Sequence, residues 1–422
     1  MQRARGVPSL PGPSGLGENV GLLRRLLDEP IPVLDECAAR FGRSFLLGAG
    51  PARIAVVGDP AHLDEVFAEP STSYRWGHAL NVIGFIVGPT SLIVSDGDDH
   101  HRRRSAVQPA FARRRLDGWI PMIAAEADRV IDEHLGPVLR RGGALDLYPV
   151  GKDLVLAITV KAFFGNGLEH RTAEIGEIFD ELQAYLELPA ARQVPHRIPG
   201  TRRARVRAAR GRFDRLVDDE VARRRATPSA DRDGTDLLDV FLDEAASGLS
   251  GAEVHDQVNT LIGAGYNTTA ATLAWTVHRA LATPGVWARL RDEARAVLGE
   301  GPVDAASLPD LPYASAVVHE ALRLHPAGAV APRVAVVDVT VGDAVIPRRT
   351  AILWSPHLAG RDPSVWREPL RFDPDRHLDP TAEERAAMDA AWVPFGRGPR
   401  RCIGFALAQM ELTLVLARWA QR

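Results

Sequence analysis

The chain has 422 residues, of which 45% are hydrophobic and 25% charged, with a formal net charge of −3 at pH 7. A chain of this length can bury a large core, and its composition is ordinary for a globular protein. The small net charge gives no reason to expect nucleic acid or an anionic membrane as a partner. With only two cysteines, Cys37 and Cys402, a zinc or iron–sulfur site built from cysteines alone is excluded.

The N-terminus is a proline- and glycine-rich lead over residues 1–18, and it lacks the apolar core of a signal peptide. No segment of the chain reaches the roughly 18 continuous apolar residues that a membrane span needs. We therefore expect a protein without a membrane anchor, located in the cytoplasm.

The pattern along the chain is mainly helical, with two short regions of strand character. Residues 45–57 alternate apolar and small residues around glycine and proline, which is typical of a β-hairpin. Residues 329–354 hold valines in rough alternation and predict further strands, whereas the polar residues 227–234 predict a surface loop. Helical patterns begin near Ala61, His100, Ile120, Thr172 and Thr201. In the absence of a repeat or a clear boundary, we predict one mainly helical domain with small β-sheets over residues 1–422.

The longest predicted helix spans residues 251–283 and would be about 50 Å long. A capping box of Ser250 and Glu253 marks its start, and Pro284 marks its end. Its middle, residues 263–269, reads GAGYNTT, and each glycine there costs roughly 1 kcal/mol relative to alanine. Small residues at this place make room for a ligand, although tight helix packing would explain the glycines about equally well.

Glutamate and arginine three residues apart occur on several predicted helices, so this spacing alone identifies no site. We expect two of these pairs to be solvated and to contribute a few tenths of a kcal/mol each. A third pair is followed downstream by the segment FDPDR at residues 372–376. The solvated pairs are Glu126/Arg129 and Glu220/Arg223, and the third pair is Glu320/Arg323.

The most informative segment is FGRGPRRCIG at residues 395–404, just before a predicted helix over residues 405–419. Its glycines allow the backbone to pass close to a flat group, and its arginines favour the thiolate form of Cys402. A single thiolate of this kind suits haem iron. A buried structural cysteine is the common alternative, but such cysteines rarely lie between arginines and glycines. A phosphate-binding loop would need a lysine and a glycine spacing that are absent here.

This segment resembles the haem-ligand loop of the cytochrome P450 family. The matching positions are Phe395, Gly398, Arg400, Cys402 and Gly404. The resemblance implies the cytochrome P450 fold, mainly α with small β-sheets, and haem b (iron protoporphyrin IX) as cofactor. Cys402 would be the axial ligand of the haem iron. Since 20 residues follow Cys402, we expect the family's C-terminal β-hairpin to be missing, through truncation or with an unusually open pocket.

The same resemblance places the middle of the long helix in the family's oxygen-binding groove. Thr268 matches the threonine that helps deliver protons to dioxygen. Asn267 stands where the family usually has an acid, and an amide orients water but does not exchange a proton as a carboxylate does. We expect either a rerouted proton relay or less coupled turnover.

The resemblance also assigns structural and cofactor-binding charges. Glu320, Arg323 and Arg376 would form a buried triad behind the haem loop, with His377 in place of the more usual phenylalanine. Guanidinium groups suit the two haem propionates, although each candidate could also be an exposed surface charge. The candidate propionate partners are His100, Arg104, Arg333 and Arg400.

These residues together predict a soluble haem-dependent monooxygenase acting on an apolar small molecule of terpenoid, fatty acyl or polyketide type. By the same resemblance, the largely apolar segment 76–92 would roof the substrate pocket together with residues 179–188 and Ala264. We expect no fused flavin or iron–sulfur domain, so electrons would come from a separate ferredoxin and ferredoxin reductase. A peroxide-using variant and a haem-binding protein without turnover remain the alternatives.

Overall fold

The computed structural model describes residues 9–48, 50–76, 81–188, 193, 196–227, 236–243, 247–301 and 303–422. The chain forms two compact units. We call Met1–Asn81 with His319–Cys402 the sheet unit, and Val82–Val318 with Ile403–Arg422 the helical unit. The predicted loop at residues 227–234 lies outside the described residues except for Thr227. The prediction of a single domain stays a prediction.

Helices dominate the described chain and appear close to where the sequence predicts them. The predicted starts near Ala61, His100, Thr172 and Thr201 fall at or within a few residues of observed helix starts, and Ile120 lies inside a helix. The helices are α1 (Leu16–Asp28), α2 (Pro30–Phe41), α3 (Pro60–Ala68), α4 (Asn81–Val87), α5 (Gly97–Val107), α6 (Arg113–Val130), α7 (Gly136–Arg140), α8 (Leu147–Phe164), α9 (Thr172–Leu186), α10 (Arg202–Ala226), α11 (Leu237–Leu242), α12 (Gly251–Ala282), α13 (Val286–Leu298), α14 (Pro312–Leu324), α15 (Pro356–Ala359), α16 (Ala382–Ala391) and α17 (Phe405–Gln421).

The strands lie in the sheet unit, where both predicted strand regions are confirmed. They are β1 (Ser44–Leu47), β2 (Ile54–Val57), β3 (Tyr74–Arg75), β4 (Ala331–Ala335), β5 (Val339–Val341), β6 (Ala344–Ile346) and β7 (Ala351–Trp354). The main sheet has the order β1-β2-β7-β4-β3, and β5 and β6 form a separate antiparallel pair. β1 and β2 are the predicted hairpin, and β2 pairs in parallel with β7 from Ile54 opposite Ala351 to Val57 opposite Trp354.

Alternation along β2 explains how this sheet is buried on both faces. Val56 packs in a core with Phe45 and Cys37, whereas Val57 packs in a second core with Ile352. Successive side chains of a strand point to opposite faces, so one short strand contributes to two cores. The sheet thereby holds β4 and the chain after β7, which carry several of the predicted site residues.

The long helix α12 organises the helical unit. Ser250 and Glu253 make the predicted capping box, with both reciprocal hydrogen bonds present. α12 packs against α8 and α17. A Cβ on Gly151 of α8 would lie 3.3 Å from the carbonyl oxygen of Ala270, so glycine permits the close approach of these two helices. Among the described helices, none is long and apolar enough to cross a membrane.

Candidate functional site

A backbone hydrogen bond within the sheet unit closes the loop that carries Cys402. The backbone N–H of Cys402 donates to the carbonyl oxygen of Phe395 over 2.9 Å. Gly396 and Gly398 adopt φ values of 65° and 67°, in the left-handed region that favours glycine. A Cβ on Gly396 would also lie 3.2 Å from the side chain of Trp354. The loop presents an exposed Cys402 immediately before α17, as a ligand to a group outside the chain requires.

Arg333 on β4 lies in an aromatic cage within the sheet unit. Its side chain is 5% exposed, and Nη1 donates to the carbonyl oxygen of Val66 over 3.0 Å. The rings of Phe67, Tyr74 and Trp76 have centroids 4.9, 5.0 and 5.4 Å from its Cζ atom. Aromatic faces stabilise a cation, but they do not neutralise its charge.

The charge of Arg333 has no anionic partner in the described part of the chain. Its buried Nε atom makes no hydrogen bond there, and burial lowers the pKa of Arg333 to about 10. Arg400 shares the same cleft, with its Cζ atom 5.2 Å from the Trp76 ring. The acidic residue that lines this cleft, Glu69, accepts a hydrogen bond from Ser73. A buried cation of this kind is costly unless an anion joins it, so the cleft fits a carboxylate-bearing cofactor such as haem.

The other two candidate propionate partners, His100 and Arg104, lie one turn apart on α5 in the helical unit. His100 is buried and Arg104 is half-buried. Glu253 at the start of α12 holds α5 in place, because Arg102 and Arg103 both donate to its carboxylate. Burial opposes the ionisation of Glu253, yet these hydrogen bonds and that of the Ser250 backbone bring its pKa to about 2. The sequence identified Glu253 as a cap, but not as the anchor of α5.

Glu320, Arg323 and Arg376 come together in the sheet unit. Arg323 donates through Nε to Glu320 Oε2 and through Nη2 to Oε1, both over 2.7 Å, and both side chains are fully buried. Arg376 Nε donates to Glu320 Oε1 over 3.1 Å. Burial opposes ionisation here too, but hydrogen bonds from Arg323 and His377 lower the pKa of Glu320 to about 2. The carboxylate is therefore ionised and satisfied at neutral pH.

Arg323 also ties α14 to the chain that follows α15. Its guanidinium donates to the carbonyl oxygens of Pro369 and Arg371, over 2.7 and 3.0 Å. The Cζ atom of Arg323 lies 5.0 Å from the ring centroid of the fully buried Trp366. One buried arginine thus joins two stretches of chain almost 50 residues apart, which is a structural role.

The expectation that the two other Glu/Arg pairs are solvated is wrong. Glu126 is buried and accepts hydrogen bonds from Arg129 over 2.7 Å and from Lys161 over 2.6 Å. Glu220 is likewise buried and accepts from Arg223 and Arg224. Spacing along a helix reports only which residues are neighbours on its surface, whereas the packing of other helices over that surface decides burial.

The middle of α12 presents an open face in the helical unit. Thr268 and Ala264, one turn apart, are both exposed, and Thr268 Oγ1 donates to the carbonyl oxygen of Ala264 over 2.6 Å. A Cβ on Gly263 would lie 3.2 Å from Phe179, so helix packing accounts for that glycine. A Cβ on Gly265 would meet nothing within 4 Å, so packing does not account for that one.

Asn267 has a partner that sequence reasoning missed. The hydroxyl of Tyr148, at the start of α8, donates to Asn267 Oδ1 over 3.3 Å. The two residues are 119 positions apart, and Tyr148 belongs to no motif that would have singled it out.

The sequence identified His377 only as an unusual residue at its position. The structure shows that its partner is Glu320.

Comparisons with known proteins agree with this fold. The family model described as Cytochrome P450 matches residues 10–422. Cytochrome P450 139 of Mycobacterium tuberculosis is 32% identical over 93% of this chain and 87% of its own length. Cyclooctat-9-en-7-ol 5-monooxygenase of Streptomyces melanosporofaciens is 30% identical over 96% of this chain and 86% of its own. Pentalenene oxygenase of Streptomyces avermitilis is 29% identical over 94% and 87%, respectively.

The solved structure of cyanobacterial CYP120A1 with bound retinoic acid superposes with a TM-score of 0.83. Its sequence is 21% identical, and the match covers 99% of this chain and 93% of that one. The predicted mainly helical fold with small sheets is confirmed. The chain belongs to the cytochrome P450 family, and it is an oxidoreductase of the monooxygenase class. This family implies a haem-iron cofactor and a redox partner that supplies electrons.

Proposed function

We propose that this protein binds haem b and oxidises an apolar small molecule with dioxygen. One cleft carries the proposal, because within the described residues the buried cation of Arg333 there has no carboxylate partner. The loop at residues 395–404 presents an exposed Cys402. Bound haem would activate dioxygen, so that one oxygen atom enters a C–H bond of the substrate and the other leaves as water. Thiolate ligation favours this cleavage of the O–O bond.

The proposed cofactor contacts follow from the charges of the side chains. Cys402 would hold the iron, and the propionates would pair with His100, Arg104, Arg333 and Arg400. The carboxylate of Glu320, satisfied by Arg323 and Arg376, would keep the chain near the haem loop in place and so help to retain the cofactor.

Thr268 and Asn267 would take part in delivering protons during the reaction with dioxygen. The Thr268 hydroxyl can pass a proton, because a hydroxyl both donates and accepts a hydrogen bond. Asn267 can orient a water molecule through its amide but cannot itself release a proton. An amide in place of the usual acid therefore weakens proton delivery from this position.

A terpenoid-type hydrocarbon is the substrate class that we favour over fatty acyl and polyketide compounds. Ala264 contributes an apolar surface beside Thr268 on the open face of α12. The names cyclooctat-9-en-7-ol 5-monooxygenase and pentalenene oxygenase both denote hydrocarbon skeletons with few polar groups. Electrons would come from a separate ferredoxin and its reductase, and the cytoplasmic location remains a prediction of the sequence.

The test is the carbon monoxide difference spectrum of the purified, dithionite-reduced protein. We expect a far-red-shifted Soret band in the wild type, retained in Cys37→Ala and lost in Cys402→Ser. The two variants form a matched pair, because Cys37 and Cys402 are the chain's two cysteines and Cys37 is buried in a core remote in sequence from the loop. An unchanged band in Cys402→Ser would refute the ligand assignment.

Asn267 favours one second candidate, in which hydrogen peroxide supplies both the oxygen atom and the electrons. Peroxide already carries the two protons that an acid at this position would otherwise help to deliver. Turnover of a hydrocarbon panel with peroxide, and separately with a ferredoxin system, distinguishes the two. Product in neither assay would favour a haem-binding protein without turnover.

A further inference from the structure

The backbone around Tyr148 is fixed where α8 begins. Asp146 caps this helix, and its carboxylate accepts the backbone N–H of Tyr148 over 3.0 Å. The phenol then reaches from α8 to Asn267 on α12, and these two helices pack against each other. In the described part of the chain, Tyr148 is the hydrogen-bond partner of the Asn267 side chain. The residue that replaces the usual acid is therefore held by one specific hydroxyl.

Tyr266, which precedes Asn267 in the chain, is also held by a side chain from another helix. Tyr266 donates through its hydroxyl to Asp180 Oδ1 of α9 over 3.1 Å. Lys152 of α8 pairs with the same carboxylate, and its Nζ lies 5.3 Å from the Tyr266 ring and 5.8 Å from the Tyr148 ring. Consecutive residues of α12 are thus anchored to α8 and α9, which restricts the freedom of this turn next to Thr268.

Tyr148 also connects this turn to solvent. Its side chain is 38% exposed, although its hydroxyl is engaged with Asn267. When Asn267 Oδ1 accepts from Tyr148, the NH₂ group of the same amide must face elsewhere, because the two ends of a planar amide point apart. A single orientation of the amide fixes where a water molecule can bind beside it.

We propose that Tyr148 is a positioning residue that orients Asn267 and, through it, the water that supplies protons to Thr268. This inference rests on the proposed function. Each proton that passes from the Thr268 hydroxyl is replaced from bulk water along a path of water molecules that the Asn267 amide orients, so the phenol and the amide keep their own protons. The path takes the place of the carboxylate that this chain lacks at position 267.

The test measures the peroxide released per molecule of product in the haem-loaded enzyme with a hydrocarbon substrate that it oxidises. We expect Tyr148→Phe to raise this ratio several-fold, because an unfixed amide no longer orders water. Tyr313→Phe is the matched control, since Tyr313 is a buried tyrosine that stacks on Arg289 on other helices. Adding Asn267→Asp to Tyr148→Phe should lower the ratio again, because a carboxylate exchanges protons without help. A merely structural role of Tyr148 would not predict that rescue.

A second measurement does not depend on turnover. The shifts in urea midpoint caused by Tyr148→Phe and Asn267→Ala should not add up in the double variant. The double variant should be no less stable than the less stable of the two single variants. Strictly additive shifts would overturn the contact and the inference. A wild type without a thiolate carbon monoxide spectrum would overturn the proposed function and this role together. If the wild type shows the thiolate carbon monoxide spectrum but Tyr148→Phe leaves the ratio of peroxide to product unchanged, this inference alone is overturned.

Discussion

His377 Nε2 lies 3.0 Å from Glu320 Oε2, so the buried carboxylate has a side-chain partner in addition to Arg323 and Arg376. An ionised carboxylate only accepts, so the imidazole donates this hydrogen bond. The position usually held by phenylalanine in the family here carries a polar contact. The ring also lies against Trp366, with centroids 6.0 Å apart and planes tilted by 50°, and therefore fills the space of an aromatic residue while adding a donor.

Replacing His377 with phenylalanine should lower the free energy of unfolding by about 1–3 kcal/mol, because a buried oxygen of Glu320 loses a donor while the ring volume is kept. Urea unfolding of the haem-loaded protein at pH 7 measures the change. Arg371→Ala is the control, since Arg371 forms an exposed pair with Glu368 and should change stability by less than about 0.5 kcal/mol. Equal effects of the two substitutions would contradict the prediction.

Ionisation of Glu320 should stabilise the fold at neutral pH and cease to do so in acid. Its folded pKa of about 2 lies below the ordinary value, so the contribution is present above about pH 4.5 and is lost as the pH falls toward 2. Glu320→Gln should cost about 3–5 kcal/mol at pH 7, because it leaves Arg323 buried without its anion. The difference in unfolding free energy between wild type and variant should narrow between pH 4.5 and 2. A difference independent of pH would contradict this assignment.

Glu411 on α17 should make stability depend on pH in the direction opposite to Glu320. It is 4% exposed, its Oε1 atom has no hydrogen-bond partner in the described ranges, and burial raises its pKa to about 8. The folded state therefore holds this proton more tightly, so stability is fully present below about pH 4.5 and declines as the pH rises through 8. Each unit of pKa shift corresponds to about 1.4 kcal/mol, so the total decline should be several kcal/mol.

Glu411→Gln should remove this dependence, because a neutral amide of the same shape has no proton to lose. Melting temperatures of the variant and the wild type, measured from pH 6 to 9, test the prediction, with the variant the more stable at pH 9. Exposed Glu383→Gln on α16 serves as the control and should follow the wild type. A parallel decline of Glu411→Gln and wild type would show that Glu411 does not titrate in this range.

Arg333→Gln should weaken the retention of haem, because the cleft loses its buried cation. We expect a lower ratio of Soret to 280 nm absorbance after purification and faster transfer of haem to apomyoglobin. Arg397→Gln is the matched control: Arg397 lines the same cleft but pairs with Asp64 at the surface. Loss of haem at the same rate from both variants would contradict a specific role for Arg333.

The Glu-x-x-Arg pairs show where sequence reasoning reaches its limit. Glu320, Glu126 and Glu220 have the same local spacing, and all three carboxylates are buried. The sequence distinguished Glu320 only through the segment downstream of it, and the solvated state expected for the other two was wrong. Lys161, which completes the partners of Glu126, is 35 residues away and could not be assigned from helical spacing.

The sequence by itself determined the family, the cysteine loop, the capped start of α12 and the alternating strands. Each of these depends on residues that are contiguous or within one helical turn, so backbone conformation and local chemistry express them directly. Only the tertiary structure decided that His377 joins Glu320, that Arg333 lies in an aromatic cage and that Tyr148 holds Asn267. Those partners are separated by 57 to 267 residues or come from different elements, and only the packing of the chain brings them together.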